Sequence, residues 1–330
     1  MFGFSRDSTF RETANNKARS LTPLSNHGWI KCDEAIMGTA INVELWCDDR
    51  SVGEAAIVAV MEEMHRIDRL MSPHKPDSEL SIINRDAAHR AVPVCDEMMY
   101  LLKRATYFSE ISHGAFDITF AAVGRLFDYR LRTRPSDVQL RQALQAIGYQ
   151  NLILNEKAQT VSFNKPGMCI DLGGFAKGHA VDNATRLLRQ RGIAHANVSA
   201  GGDSRVIGDR CGRPWMIGVR DPGNAEQVIA MLPLIDTSIS TSGDYERYFD
   251  EDGVRFHHLI DPFTGKSPNG VRSVTILAED GLTTEAFSKI VFVSGIEKGL
   301  SLIEAQQNID AVIVDADGKL HYSSGLLNPN

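Results

Sequence analysis

The residues best suited to chemistry stand in two glycine-rich clusters, Asp171-Leu-Gly-Gly-Phe-Ala-Lys177-Gly178 and Ala200-Gly-Gly-Asp203. They combine a cation, two carboxylates and main chain bared of side chains. Gly173, Gly174, Gly201 and Gly202 lack a Cβ, so a ligand can approach the backbone closely. Lys177 is expected in the first turn of a helix, where the helix dipole already favours an anion. Together they suit a ligand with a phosphate and hydrogen-bonding rings. Two tight strand-to-helix turns with no ligand would account for the glycines equally well.

Further candidates lie along the chain. Met37-Gly-Thr39 places a glycine inside a strand pattern, the signature of a bulge or close backbone approach. Residues 71–84 follow a helix as a polar loop in which His74 either faces solvent or reaches into a site. Gly114-Ala-Phe-Asp117 joins a natural helix stop to an aromatic residue that is either core or the cover of a planar ring. Thr241-Ser-Gly-Asp-Tyr245 and His257-His258-Leu-Ile-Asp261-Pro262 are spaced as the two ends of one hairpin. Neighbouring histidines on a strand face opposite ways, so one of them, His258, is a candidate for proton transfer.

The elements that must hold these residues read as mixed α/β (α+β), with largely antiparallel and mixed sheets flanked by helices. Alternation over 36–46 predicts a strand with Ile41, Val43 and Leu45 on one face. Val60, Met64, Ile67 and Met71 follow helical spacing. Ser78 is a plausible cap, and Met98, Leu101, Leu102, Ala105 and Phe108 share a face of a helix over 96–111. Ser136-Asp-Val-Gln139 is a capping box. A hairpin is expected over 151–163, a helix over 177–191, and mostly strand from there to 278. Residues 168–170 and 197–199 read as short strands entering the two glycine clusters. Helices over 283–294 and 298–306 and a hairpin around Asp317-Gly318 close the chain. Residues 1–30 are expected as a flexible arm and 31–330 as one domain.

Composition narrows the function. The chain has 330 residues, 43% hydrophobic and 23% charged, ordinary for a globular protein. A net charge of −7 argues against nucleic acid as the main partner. No apolar run is long enough for a transmembrane helix. The 5 cysteines show no metal-type spacing and suggest reduced thiols. Residues 1–28 lack the apolar stretch of a secretory signal, which points to a cytoplasmic chain.

The motifs stand in an order that resembles the ApbE family of FAD:protein FMN transferases: Met37-Gly-Thr39, Met71-Ser72 with Pro76-Asp-Ser-Glu-Leu80 and Asn84, Gly114-Ala-Phe-Asp117, Asp171 to Gly178, Ala200-Gly-Gly-Asp203, Thr241 to Tyr245, and His258-Leu-Ile-Asp-Pro262 with Thr264-Gly265. The resemblance covers about residues 36–325. It implies transfer of the FMN half of FAD to a threonine hydroxyl of a target flavoprotein, with release of AMP. The target would carry an Asp-Ser/Thr-Gly-Ala/Ser-Thr type segment, and exported, periplasmic or membrane-associated relatives are implied as well. By resemblance Met37, His74, Ala115, Phe116, Asp117, Asp171 and Lys177 line the FAD site. His258 would accept the proton or partner the phosphate. A Mg²⁺ ion is implied, held by the Gly174 carbonyl, Glu285 and Ser288.

The chain departs from the family at the helix after its last long strand. The Asp-Ala-x-x-Thr pattern reads Glu285-Ala-Phe-Ser-Lys289 here. A protonated lysine cannot bind a metal. In one reading Lys289 swings away and the ion stays; in the other its ammonium lies near the metal position, pairs with Glu285 and supplies the charge. Reduced Mg²⁺ dependence is expected. An FAD-binding protein without transferase activity and an FAD pyrophosphatase giving FMN and AMP remain as alternatives.

Overall fold

A computed structural model describes residues 21–23, 28–224 and 226–327. The expected N-terminal arm lies outside the described residues over 1–20 and 24–27. Of its described parts, Leu21–Pro23 forms an edge strand on Trp29–Ile36, and Trp29 and Ile30, buried in that strand, belong to the sheet and not to a flexible arm.

Nine strands form the main sheet, in the order Leu21–Pro23, Trp29–Ile36, Thr39–Trp46, Ala196–Ala200, Asp203–Ile207, Ser238–Gly243, Val271–Ala278, Asp310–Asp315, Leu320–Tyr322. Every ladder among the described residues is antiparallel, including those of three small side sheets. Short turns join Trp29–Ile36 to Thr39–Trp46 and Ala196–Ala200 to Asp203–Ile207, long insertions join the other central neighbours, and no parallel crossover is needed. Helices pack on the sheet, as the sequence pattern predicts.

The helix Arg50–Met71 buries Val60, Met64, Ile67 and Met71 in one cluster with Ile41, Val43 and Leu45 of the sheet. Each such side chain contributes about 1.5–3 kcal/mol on burial. Ser78 caps the helix Glu79–Asp86 by accepting from the Ser81 amide at 3.0 Å. The capping box at Ser136 forms and opens the helix Asp137–Leu144.

Three expectations change. The Met37-Gly38 pair is not a bulge within a strand; it is the two-residue turn between Trp29–Ile36 and Thr39–Trp46. Both residues have positive φ, 55° and 70°, as a type I′ hairpin requires. Residues 168–170 form no strand; the chain there is tied by Asn84, whose side chain accepts from the Ile170 amide at 2.8 Å and donates to its carbonyl at 2.9 Å. Ala200-Gly-Gly-Asp203 joins two adjacent strands, not a strand to a helix.

Candidate active site

The site is built where two helices begin against each other. Ala176–Gln190 and Gly281–Ser294 touch backbone to backbone at Gly178 and Gly281. A Cβ on Gly178 would lie 2.1 Å from the Gly281 carbonyl oxygen, and one on Gly281 would lie 2.7 Å from that of Gly178. Only glycine allows so close a crossing. Asp182, one turn along the first helix, accepts from the Gly281 and Leu282 amides at 2.8 and 3.0 Å and so caps the second helix. Arg205 pairs with Asp182 at 2.7 Å and holds it there.

This crossing brings Glu285 to the N-terminus of the Lys177 helix. Glu285 is fully buried, and its Oε2 accepts from the Gly178 amide at 2.7 Å. The anion on this helix terminus is therefore the protein's own carboxylate. Glu285 Oε1 accepts from Lys177 Nζ and, at 3.4 Å, from Lys289 Nζ one turn along its own helix. Lys177 Nζ also meets Asp203 Oδ2 at 2.8 Å and the Gly173 carbonyl at 3.4 Å. Asp203 Oδ1 accepts from the Ser240 hydroxyl at 2.5 Å. The two glycine clusters thus meet through Lys177, as one pocket requires.

The ammonium groups are held unequally. Burial opposes the charge on Lys177, but Asp203 and Glu285 outweigh it and hold the ammonium above its ordinary range. Burial pulls Lys289 below its ordinary value; Glu285 and Asp203 offset this in part, and Lys177 opposes them. Asp203 is desolvated too, yet Lys177 and Lys289 keep its carboxyl below the usual range.

His258 follows the hairpin Tyr248–Glu251 and Val254–His257, where its amide donates to the Arg247 carbonyl at 3.1 Å. The two histidines do sort to different environments. His257 is buried, its Nε2 3.1 Å from the Pro268 carbonyl and its ring edge-on to Phe292. The His258 Nδ1, like that of His257, is buried without a hydrogen-bond partner among the described residues, and no hydrogen bond to the His258 Nε2 is seen among them either. Its imidazole is pushed down to about 3, first by burial and then by Lys289, Arg247, His257 and Lys177. It is neutral at neutral pH, able to accept a proton, and set among cations.

Other expected site residues fall into place less directly. Asp171 Oδ1 accepts from the Gly173 amide at 2.6 Å and shapes the loop before Lys177. Met37 is half-buried against the core, and the adjacent Gly38 faces the Arg247 guanidinium. His74 is exposed, and among the described residues no hydrogen bond or ion pair joins it to the Lys177 cluster. Ala115 and Phe116 are buried; the Phe116 ring packs edge-on to Phe108 and Phe175, beneath Gly174. Its aromatic face is core, not the cover of a ligand ring. The exposed ring beside Gly114 is Phe263, which the sequence reading did not single out. Asp117 is also a correction: its carboxylate accepts from the Thr119 amide and hydroxyl and the Tyr149 amide at 2.7–2.9 Å. It positions backbone, and burial raises its pKa. Gly201 and Gly202 bare little main chain for a ligand, since a Cβ there would strike Thr39 Oγ1 at 2.6 Å and the Thr241 carbonyl at 2.7 Å.

The expected metal ligands do not fit a divalent ion. Both Glu285 oxygens are filled by protein donors, two of them ammonium groups. Ser288 is fully buried, donates to the Glu285 carbonyl at 2.8 Å and meets the Ser242 hydroxyl at 2.8 Å. No group of three or more His, Cys, Asp or Glu able to hold a metal occurs among the described residues. A hard cation needs oxygen donors free of competing ammonium groups. Arg247 and Asp182 were missed by the sequence reading. Arg247 follows the Thr241–Tyr245 motif directly, which was the available signal; Asp182 reads as an ordinary surface position of an amphipathic helix.

With this geometry in place, comparison with known proteins decides the family. The profile of the ApbE family matches residues 37–313. The chain belongs to the ApbE family. An FAD:protein FMN transferase of Vibrio cholerae is 32% identical over 305 residues, covering 89% of this chain and 90% of that protein. One from Klebsiella pneumoniae is 30% identical over 293 residues, covering 88% and 90%. The crystal structure of the ApbE protein of Thermotoga maritima matches with a TM-score of 0.84 at 34% identity, over 91% of this chain and 98% of that one. The Vibrio cholerae flavin transferase ApbE matches with a TM-score of 0.81 at 28% identity, with the same coverage. The antiparallel α/β architecture is thus that of ApbE proteins.

Proposed function

We propose that this chain transfers the FMN moiety of FAD to a threonine hydroxyl of a target flavoprotein and releases AMP. One observation carries the reading beyond family membership: two ammonium groups, Lys177 and Lys289, meet at Glu285 beside the glycine-rich loop, and both act on the imidazole of His258, whose Nδ1 lacks a hydrogen-bond partner among the described residues. The expected domain, residues 31–330, extends to Trp29 in this reading, because the continuous buried cluster runs from Ile30 to Ile313.

The chemistry is phosphoryl transfer, in which positioning and charge stabilisation dominate. The threonine oxygen forms a bond to the phosphorus on the flavin side. The bond from that phosphorus to the bridging oxygen breaks, and its electron pair leaves with AMP. The hydroxyl proton passes to the His258 imidazole. Lys177 and Lys289 face the phosphate oxygens, and Met37 and Asp171 shape the FAD site. A bound dianionic pyrophosphate would offset the cations that depress His258 and make it a better base. Mg²⁺ is implied for the family, but the donor set does not fit it, and no step is routed through a metal.

The test mixes purified protein, FAD, Mg²⁺ and a target with an Asp-Ser/Thr-Gly-Ala/Ser-Thr segment. Covalent flavin on the threonine together with free AMP is the expected result. FMN and AMP without labelling would show a pyrophosphatase, and intact bound FAD a binding protein. No helix among the described residues is long and apolar enough to cross a membrane.

A further inference from the structure

Lys289 is an unusual residue for its place. It sits on a helix in which Leu282, Thr284, Ala286, Phe287, Ser288, Ile290, Val291 and Phe292 are all buried. A cation in such a helix is costly unless paired. Lys177 already serves both carboxylates, Glu285 and Asp203. Lys289 is therefore a second cation where one would satisfy the anions' geometry, 3.4 Å from Glu285 Oε1 and with 18% of its side chain exposed. Its arrival brings the cluster to two positive and two negative groups. Besides burial, Arg247 and His257 also act on His258 and keep its imidazole neutral beside the two lysines.

We propose that the Lys289 ammonium itself neutralises the transferred phosphate, so that FAD binding and FMN transfer in this protein need no divalent cation. The proposal rests on the FMN-transfer reading and deepens it. A Mg²⁺ ion would have to displace both lysines from Glu285, a fully buried carboxylate. An anionic pyrophosphate meets no such obstacle: it adds negative charge beside two ammonium groups, and Lys289, whose bond to Glu285 is a long 3.4 Å, keeps protons to donate. In the transfer step the threonine oxygen bonds to phosphorus, the bridging oxygen leaves with its electron pair on AMP, and the proton goes to His258. Lys289 stays protonated throughout and balances the charge that moves onto the leaving oxygen.

The experiment measures FAD affinity by flavin fluorescence, separately from transfer, in EDTA and in millimolar Mg²⁺. For the unaltered protein both quantities are expected to agree within about twofold between the two conditions, and Mg²⁺ should not raise the melting temperature. Lys289→Thr replaces the ammonium by an oxygen donor. Its FAD affinity in EDTA is expected to fall by roughly tenfold or more, and Mg²⁺ should recover part of it. Lys289→Arg should keep more affinity in EDTA than Lys289→Thr, and Lys289→Gln covers the case in which the threonine variant does not fold. FAD binding or transfer by the unaltered protein that EDTA abolishes and Mg²⁺ restores would overturn the proposal while leaving the FMN-transfer reading intact. Equal affinity of folded Lys289→Thr or Lys289→Gln and the unaltered protein in EDTA would overturn it too. No FAD binding under either condition would remove the FMN-transfer reading and the proposal with it.

Discussion

Two ionic clusters hang on the one helix Ala176–Gln190, and they are built on opposite principles. Lys177 belongs to the first, with Asp203, Glu285 and Lys289. His179 and Asn183 belong to the second, with Glu63, Glu97 and Arg66. Lys177 and His179 are two positions apart, which turns their side chains to opposite sides of the helix. In the second cluster Arg66 holds Glu63 and Glu97 with paired bonds of 2.6–2.8 Å, and His179 and Asn183 take up the remaining capacity of Glu97 Oε1 at 2.8 and 3.0 Å. A planar guanidinium fork suits fixed geometry. The first cluster uses lysines, whose charge can follow a ligand, and adjoins an imidazole with an unfilled nitrogen. A network whose partners are all engaged stabilises; one that leaves donor capacity on Lys289 and an unfilled nitrogen on His258 is suited to bind.

The sharpest way to break this distinction is to remove one cation from each side. Lys177→Met strips Asp203 and Glu285, respectively 3% and 0% exposed, of their main partner. Stability should fall by about 3–5 kcal/mol in urea unfolding, and transfer by about 10²–10³. Arg66→Met should lower the urea midpoint as well, yet leave the transfer rate of the folded fraction unchanged. Loss of transfer in the Arg66 variant would show that the two clusters act as one.

His258→Asn comes next. Transfer should drop about 10²–10⁴-fold if the imidazole accepts the proton, while FAD affinity changes little. The acid side of the stability profile gives an independent readout. The folded-state value of His258, about 3, lies below its ordinary 6.5. Between those values the unfolded chain binds more protons than the folded one, so stability declines as pH falls through that window. The variant should flatten this decline. An unaltered profile in His258→Asn would mean the ring is not held neutral by its surroundings.

How much of this was legible in the sequence depended on the range of the interaction. Helical spacing identified the buried faces of Val60, Met64, Ile67 and Met71, and the short-range caps at Ser78 and Ser136 formed as read. Order of motifs identified the family. The strand Trp29–Ile36 was missed because its turn, Met37-Gly38, carries methionine at a left-handed position, where Asn or Asp would have signalled a hairpin. The Gly178–Gly281 contact was invisible, since neither glycine stands in a turn; each is needed only by a partner about a hundred residues away. That contact fixes why Glu285 meets Lys177. The metal-ligand set followed from the family resemblance, and motif order does not reveal that both Glu285 oxygens are already engaged.

On the structural side of the comparison, Glu97→Gln should lower stability by about 1.5–3 kcal/mol at neutral pH by weakening bonds to charged partners. Burial opposes ionisation of Glu97, but His179 and Arg66 more than reverse it and hold the carboxyl well below its ordinary 4.5. A depressed carboxylate contributes fully above its unfolded value and loses that contribution as pH falls below it. The gap between Glu97→Gln and the unaltered protein should therefore close below about pH 4.5, with FMN transfer unaffected throughout. A slower transfer rate at pH 7 would move this cluster into the functional machinery.

The smallest expected effect is at Met37, and it tests whether the turn beside Arg247 belongs to the open cluster. A non-glycine residue at φ 55° costs roughly 1–2 kcal/mol. Met37→Gly relieves that strain but forfeits a half-buried side chain packed on the core, worth about 1–1.5 kcal/mol. The two terms nearly cancel, so the urea midpoint should shift little. Strain that is kept without a gain in stability points to a use for the side chain. FAD affinity should therefore weaken a few-fold in Met37→Gly at unchanged stability. Unchanged affinity would reduce Met37 to a packing residue and leave Lys177, Lys289 and His258 to bind the ligand without the turn.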